Sequence, residues 1–219
     1  MKYRAILFDF DGTLSPSLPL WVQAFHIALR SYGIALSDQE VIQRFFFRDW
    51  NEAADTLQVG SVEKFRGEIN RGLREAFQQA TLFPLVLALL ERCREHGLQT
   101  ALVTSAPRLV LDDVMPRLGL ERLFDFVVCA DDVQNFKPHP EPVLMTLSAL
   151  NCAPQAALMV GDSTADVYSG KAAGTTTALF MPDDHRPYYR FDALHASEPD
   201  HIFVDHAELP GIIGLRAEQ

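Results

Sequence analysis

The chain is poor in features that would place it outside a reducing, aqueous setting. Its three cysteines, Cys93, Cys129 and Cys152, are odd in number and widely spaced. They form no C-x-x-C pair and no His-rich spacing accompanies them, so buried reduced thiols are expected rather than a structural zinc site. No apolar run approaches the ~18 residues of a membrane span, and the longest candidate, 82–90, is interrupted by Pro84. No signal-peptide pattern precedes the first apolar run, which makes the cytoplasm the expected location. Basic residues are also scarce: 19 Lys and Arg face 29 Asp and Glu, a net charge of −10. That balance speaks against nucleic acid or an anionic membrane as partner, yet it allows a small anionic substrate in a locally basic pocket. There is no internal repeat and no low-complexity segment. What remains is a globular chain of 219 residues, long enough for one full core in one or two domains.

The chain opens with a short apolar run, 3–8, of buried-strand length, followed by Asp9-Phe10-Asp11-Gly12-Thr13. Residues two apart on a strand share a side, so Asp9 and Asp11 are expected roughly 6–7 Å apart along the chain, a gap that fits a phosphoryl group or a metal ion. Two carboxylates this close need a cation, or one must keep its proton. The same residues also read as a plain turn, with Asp11-Gly12 at its corner.

From 17 to 80 the pattern is helical. Leu18, Trp21, Val22, Phe25 and Leu29 share one face. Ser37-x-x-Glu40 reads as a capping box, a short helix is expected over 51–57, and Ser61 caps a helix in which Phe65, Ile69, Leu73 and Phe77 recur every four residues. Nothing there reads as a strand. From Thr81 onward helices and strands alternate: helix 84–96, strand 99–104, helix 107–118 cut short by Pro116, strand 126–130, helix 141–150, strand 157–161, helix 163–173, strand 176–180 and strand 202–204. Short loops joining such an alternation predict an α/β fold: a parallel, Rossmann-like sheet covered on both faces, interrupted after its first strand by an all-helical insertion. The expected division is 1–14 with 82–219 for the core and 15–81 for the insertion.

In such sheets ligands bind beyond the carboxyl ends of the strands. Asp9 and Asp11, Thr104 and Ser105, Lys137, and Gly161-Asp162-Ser163 with Asp166 all fall there. Each also has a plainer reading. Thr104 could be an N-cap, Lys137 a solvated loop lysine, and Ser163-x-x-Asp166 a capping box with Asp in place of Glu.

Taken together and in this order, Asp-Phe-Asp-Gly-Thr at 9–13, Thr104-Ser105, Lys137-Pro138 and Gly161-Asp162-Ser163-x-x-Asp166 resemble the four motifs of the haloacid dehalogenase superfamily. The likeness runs from the first strand to about Phe180, and the helical insertion sits where members with a helical cap carry theirs. Within the superfamily the chain resembles the phosphoglycolate phosphatase and beta-phosphoglucomutase types. The resemblance implies a Mg²⁺-dependent phosphatase acting on a small phosphorylated metabolite through an aspartyl-phosphate. It makes Asp9 the nucleophile, Asp11 the general acid and base, and Lys137 a catalytic and phosphate-binding cation. Thr104 and Ser105 become phosphate ligands. Asp9, Asp162 and the backbone carbonyl of Asp11 hold the metal, and Asp166 orients that shell or Lys137. Two positions depart from the pattern: Ser105 where many members carry Asn, and Pro16 where relatives often carry Asp.

The cap is expected to select the substrate. Of its polar candidates, which include His26, Arg30, Arg44 and Lys64, Arg48 and Trp50 are preferred, as a loop beside a helix break facing the active site. The segment 183–200 reads as a surface loop. A phosphomutase on the same residues and a non-catalytic phosphate-binding module are the alternatives; a dehalogenase fits less well because Asp11 is present. Either a monomer or a homodimer is compatible with the sequence.

Overall fold

The structure, a computed structural model, describes residues 2–46 and 50–215. The chain divides into two compact units, one formed by Met1–Pro16 and Thr81–Gln219, the other by Ser17–Ala80. In chain order, strand β1 (Ala5–Phe8) is followed by helices α1 (Leu18–Arg30), α2 (Asp38–Phe45), α3 (Trp50–Thr56) and α4 (Val62–Ala76). Alternation then begins with α5 (Val86–Glu95), β2 (Gln99–Val103), α6 (Arg108–Arg117), β3 (Phe126–Val128), α7 (Glu141–Ala149) and β4 (Ala157–Gly161). It ends with α8 (Thr164–Ala173), β5 (Thr176–Phe180), α9 (Phe191–Ala196), β6 (His201–Phe203) and α10 (Leu209–Ile213). No helix among the described residues is long and apolar enough to cross a membrane.

The strands form one six-stranded sheet in the order β3-β2-β1-β4-β5-β6, and every pairing is parallel. Because strand side chains alternate, Leu7, Val103 and Met159 share one face and pack with Val143 and Leu147 of α7 in a single buried cluster. From β1 the chain steps outward to β2 and β3, then returns to the far side of β1 as β4. The order therefore reverses between β1 and β4, where a parallel sheet opens a crevice beyond its carboxyl edge.

The helical unit is built on rings. Phe25 stacks on Phe45 with centroids 4.6 Å apart, and Trp21 meets Phe77 edge-on at 5.6 Å. Helices α1 and α4 approach closely at Gly72, where a Cβ would stand 2.3 Å from the carbonyl oxygen of Ala24. Ser37 and Glu40 form the reciprocal capping box at the start of α2, and Ser61 accepts from the Lys64 N–H at the start of α4.

Several elements differ from the sequence expectation. Strand β1 spans only Ala5–Phe8, so Asp9 lies just past the assigned strand, although its N–H still donates to the carbonyl of Val160. Helix α5 begins at Val86 rather than Pro84, because Leu85 takes a left-handed conformation, φ 68°. Helix α6 does not end early at Pro116 but runs to Arg117. The proline sits in the last turn, and the Leu118 N–H still reaches the carbonyl of Val114. The stretch 183–200 is not a plain surface loop. It holds a 3-10 turn, Asp183–His185, and helix α9, and it buries His185.

Candidate active site

The sheet edge at the reversal point carries the polar residues. After β1 the chain tightens around one carbonyl. The N–H groups of Thr13, Leu14 and Ser15 all donate to the oxygen of Phe10, and the Gly12 N–H donates to Ser15 at 2.8 Å. Gly12 adopts φ 76°, the left-handed region that favours glycine. The tight turn anticipated as the plainer reading is thus present. It holds Asp11 against Ser15 and leaves Asp9 buried.

Lys137 is brought to Asp9 by a loop fastened at both ends. On one side the Glu141 carboxylate accepts from the backbone N–H groups of Gln134 and Asn135 and from the Asn135 amide. On the other the Ser169 hydroxyl donates to the carbonyl of His139. The Lys137 ammonium uses all three donors: Asp9 Oδ1 at 2.7 Å, Asp166 Oδ1 at 2.6 Å and the carbonyl of Val103 at 2.9 Å. Its side chain is 5% exposed. Burial works against the charge, but the Asp166 and Asp9 carboxylates outweigh it and hold the ammonium above its usual range.

Asp166 does two things at once. With Ser163 it closes the capping box of α8, its Oδ2 accepting from the Ser163 N–H and hydroxyl, while Oδ1 binds Lys137. This geometry explains Gly161. A Cβ there would lie 2.3 Å from the Cβ and Cγ of Asp166.

Asp162, 1% exposed, receives the Tyr189 hydroxyl on Oδ2 at 2.7 Å. The Thr13 hydroxyl lies 3.4 Å from its Oδ1, and His185 Nδ1 stands 3.7 Å from Oδ2. Each of Asp9, Asp162 and Asp166 offers a carboxylate oxygen within 4.8 Å of the others. Burial raises the Asp9 carboxyl to about 7; Lys137 opposes that rise, and Asp166 and Asp11 add to it. Burial, followed by the charges of Asp9 and Asp166, lifts Asp162 well above the usual carboxylate range despite the Tyr189 hydrogen bond. Of three buried carboxylates, two thus share one ammonium and the third, Asp162, lies beside them. An all-oxygen donor set with surplus negative charge fits a hard divalent cation such as Mg²⁺.

Thr104, one residue past β2, is buried and Ser105 beside it is exposed. The Ala106 N–H donates to the Thr104 Oγ1 at 3.0 Å, which leaves that hydroxyl its own proton to donate. The first N–H of α6, on Arg108, is already taken by the Asp131 carboxylate. Trp50 has a packing role instead of a loop position. It stands in the aromatic cluster of the helical unit, edge-on to Phe25 at 5.6 Å, and its indole N–H donates to the carbonyl of Phe45. Arg48 lies outside the described residues.

The sequence singles out His185 and Tyr189 only as members of the 183–200 surface segment, without a place at the site, and does not mark His206 at all. His206 is buried, its Nε2 2.8 Å from the carbonyl of Thr13, and it stacks against Phe83. Nothing local marks these residues. The only signal was that two histidines and a tyrosine stand in stretches otherwise dominated by charge.

The haloacid dehalogenase-like hydrolase family model matches residues 6–180, and the chain belongs to that family. It is 34% identical to the pyrophosphatase PpaX of Bacillus pumilus over 96% of both chains. It is 30% identical to the phosphoglycolate phosphatase of Salmonella typhimurium over 97% of this chain and 93% of that one. Among solved structures, a CbbY variant from Rhodobacter sphaeroides in complex with xylulose-(1,5)bisphosphate superposes with a TM-score of 0.82 at 20% identity, covering 98% of this chain and all of that one. That last likeness bears on the fold alone.

Proposed function

We propose that the chain is a Mg²⁺-dependent phosphatase that hydrolyses a small phosphorylated metabolite through a phosphoryl group carried on Asp9. The observation that carries this reading is the Lys137 ammonium bonded to both Asp9 and Asp166 beside Asp162, at the point where the strand order reverses. The relatives support it by what they are named for: pyrophosphate in one case and phosphoglycolate in the other, both small phosphate-bearing anions.

In this reading the Asp9 carboxylate forms a bond to phosphorus while the bond from phosphorus to the leaving oxygen breaks. Asp11 supplies the proton for that oxygen, then takes one from the water that attacks the aspartyl-phosphate, releasing phosphate and restoring Asp9. Lys137 orients Asp9 through Oδ1 and opposes the phosphoryl charge, and Thr104 and Ser105 donate to the phosphoryl oxygens. The side chains of Asp9 and Asp162 with the Asp11 carbonyl hold the metal. When bound, the ion neutralises charge that would otherwise keep two anions apart. Asp166 acts through Lys137, and the helical unit takes the part of the substrate-selecting cap.

The test is a panel of phosphometabolites that includes pyrophosphate and phosphoglycolate, read by phosphate release. Turnover should appear with Mg²⁺, vanish in EDTA and return when Mg²⁺ is restored. Undiminished turnover in EDTA contradicts the metal assignment, and no release from any phosphoester contradicts the enzyme.

A further inference from the structure

The segment between β5 and β6 delivers two side chains to Asp162 that the four motifs do not include. After β5 the Met181 N–H pairs with the carbonyl of Phe203, and the chain then turns through Asp183–His185. The N–H groups of Tyr188 and Tyr189 both close back on the His185 carbonyl. That fold-back places the Tyr189 ring against a buried apolar cluster of Val167, Leu179, Met181 and Leu194. Held there by its ring, Tyr189 points its hydroxyl at Asp162 Oδ2, 2.7 Å away. His185 backs the same oxygen. Its ring is fixed by Phe180 edge-on at 5.6 Å and lies 5.7 Å from the Tyr189 ring. Its Nδ1, buried and without a hydrogen-bond partner, stands 3.7 Å from Oδ2.

A buried carboxylate that must meet a cation in one geometry needs its torsion fixed, and outer hydrogen bonds are the usual means. Asp162 directly follows β4, and the Tyr189 hydroxyl at 2.7 Å lies closer to it than the Thr13 hydroxyl at 3.4 Å. We propose that Tyr189, backed by His185, is a positioning residue that fixes the orientation of the Asp162 carboxylate for a divalent cation. This rests on the metal reading above and extends the site to a segment outside the four motifs. Mg²⁺ demands near-ideal octahedral geometry, whereas Ca²⁺ tolerates irregular ligation. A residue that sets orientation should therefore matter more for Mg²⁺.

The experiment is calorimetric titration of the full chain with MgCl₂ and with CaCl₂, comparing the unaltered protein, Tyr189→Phe and Tyr189→Leu. The first variant keeps the ring and loses only the hydroxyl; the second serves if the first does not fold. We expect the Mg²⁺ Kd of either folded variant to rise by about tenfold and the Ca²⁺ Kd by less than about threefold. At saturating Mg²⁺ the turnover of Tyr189→Phe should return toward that of the unaltered protein. A Mg²⁺ Kd that stays the same or tightens overturns the proposal, the latter by showing that the hydroxyl competes with the ion. Equal losses for both ions also overturn it, since that is what general loosening of the segment would give. Failure of the unaltered protein to bind Mg²⁺ is a different result. It removes the metal reading itself.

Discussion

The helical unit is packed by rings: buried Phe25, Phe45 and Phe77 and half-buried Trp21 and Trp50 meet at centroid distances between 4.6 and 6.3 Å. At the carboxyl edge of the sheet the interior is filled by charge: Asp9, Asp162, Asp166 and Lys137. Burying rings is favourable in itself, at about 25 cal/mol per Å² of apolar surface removed from water. Burying ions opposes folding by several kcal/mol each unless each finds partners. The sheet edge is tolerated because Lys137 makes three hydrogen bonds and Asp166 satisfies both a lysine and a helix start. One region stores stability. The other spends part of it on holding reactive groups where water is scarce, which is what phosphoryl transfer needs.

The difference can be broken from either side. The largest effect on stability should come from Lys137→Met. It leaves Asp9 and Asp166 buried without their shared cation, and removing one partner of such a pair costs about 3–5 kcal/mol. Urea denaturation in EDTA measures it, and a loss under about 1 kcal/mol would mean the edge does not depend on this ammonium. A smaller effect is expected from inserting one methyl in each region. Gly161→Ala places a Cβ against the side chain of Asp166, and Gly72→Ala places one against the backbone of Ala24. Overpacking of this kind costs about 1–3 kcal/mol. The two should part in function: Gly161→Ala disturbs the Asp166–Lys137 pair and lowers turnover on a small aryl phosphate more than its stability loss accounts for. Gly72→Ala should destabilise the helical unit without that excess. Equal effects on turnover would erase the contrast between the regions.

Most of the sheet unit was legible because its signals are local. Apolar runs of strand length, capping residues and helix periodicity give β4, β5 and α8 nearly residue by residue. The resemblance of four ordered motifs pointed to Asp9, Lys137 and Asp162. The structure puts Lys137 on Asp9 across 128 positions and Tyr189 on Asp162 across 27. The first contact was readable because both partners belong to motifs. The second was not, since a tyrosine in a charged stretch after a strand has no spacing to announce its partner. Trp50 is the opposite case: beside an expected helix break its indole reads as available, and the structure starts α3 there and packs the ring against Trp21 and Phe25. Pro116 misled because its cost depends on position: in the last turn it removes a single backbone donor.

The proposed chemistry rests on Asp9 itself carrying the phosphoryl group. Phosphate release by Asp9→Asn in Mg²⁺, on whichever panel member the unaltered protein turns over, tests it most directly, with circular dichroism to show that the fold persists. The account predicts release at or below the limit of detection from a folded variant. A folded Asp9→Asn that keeps a tenth or more of the turnover, a loss of no more than about 1.4 kcal/mol in barrier terms, contradicts it.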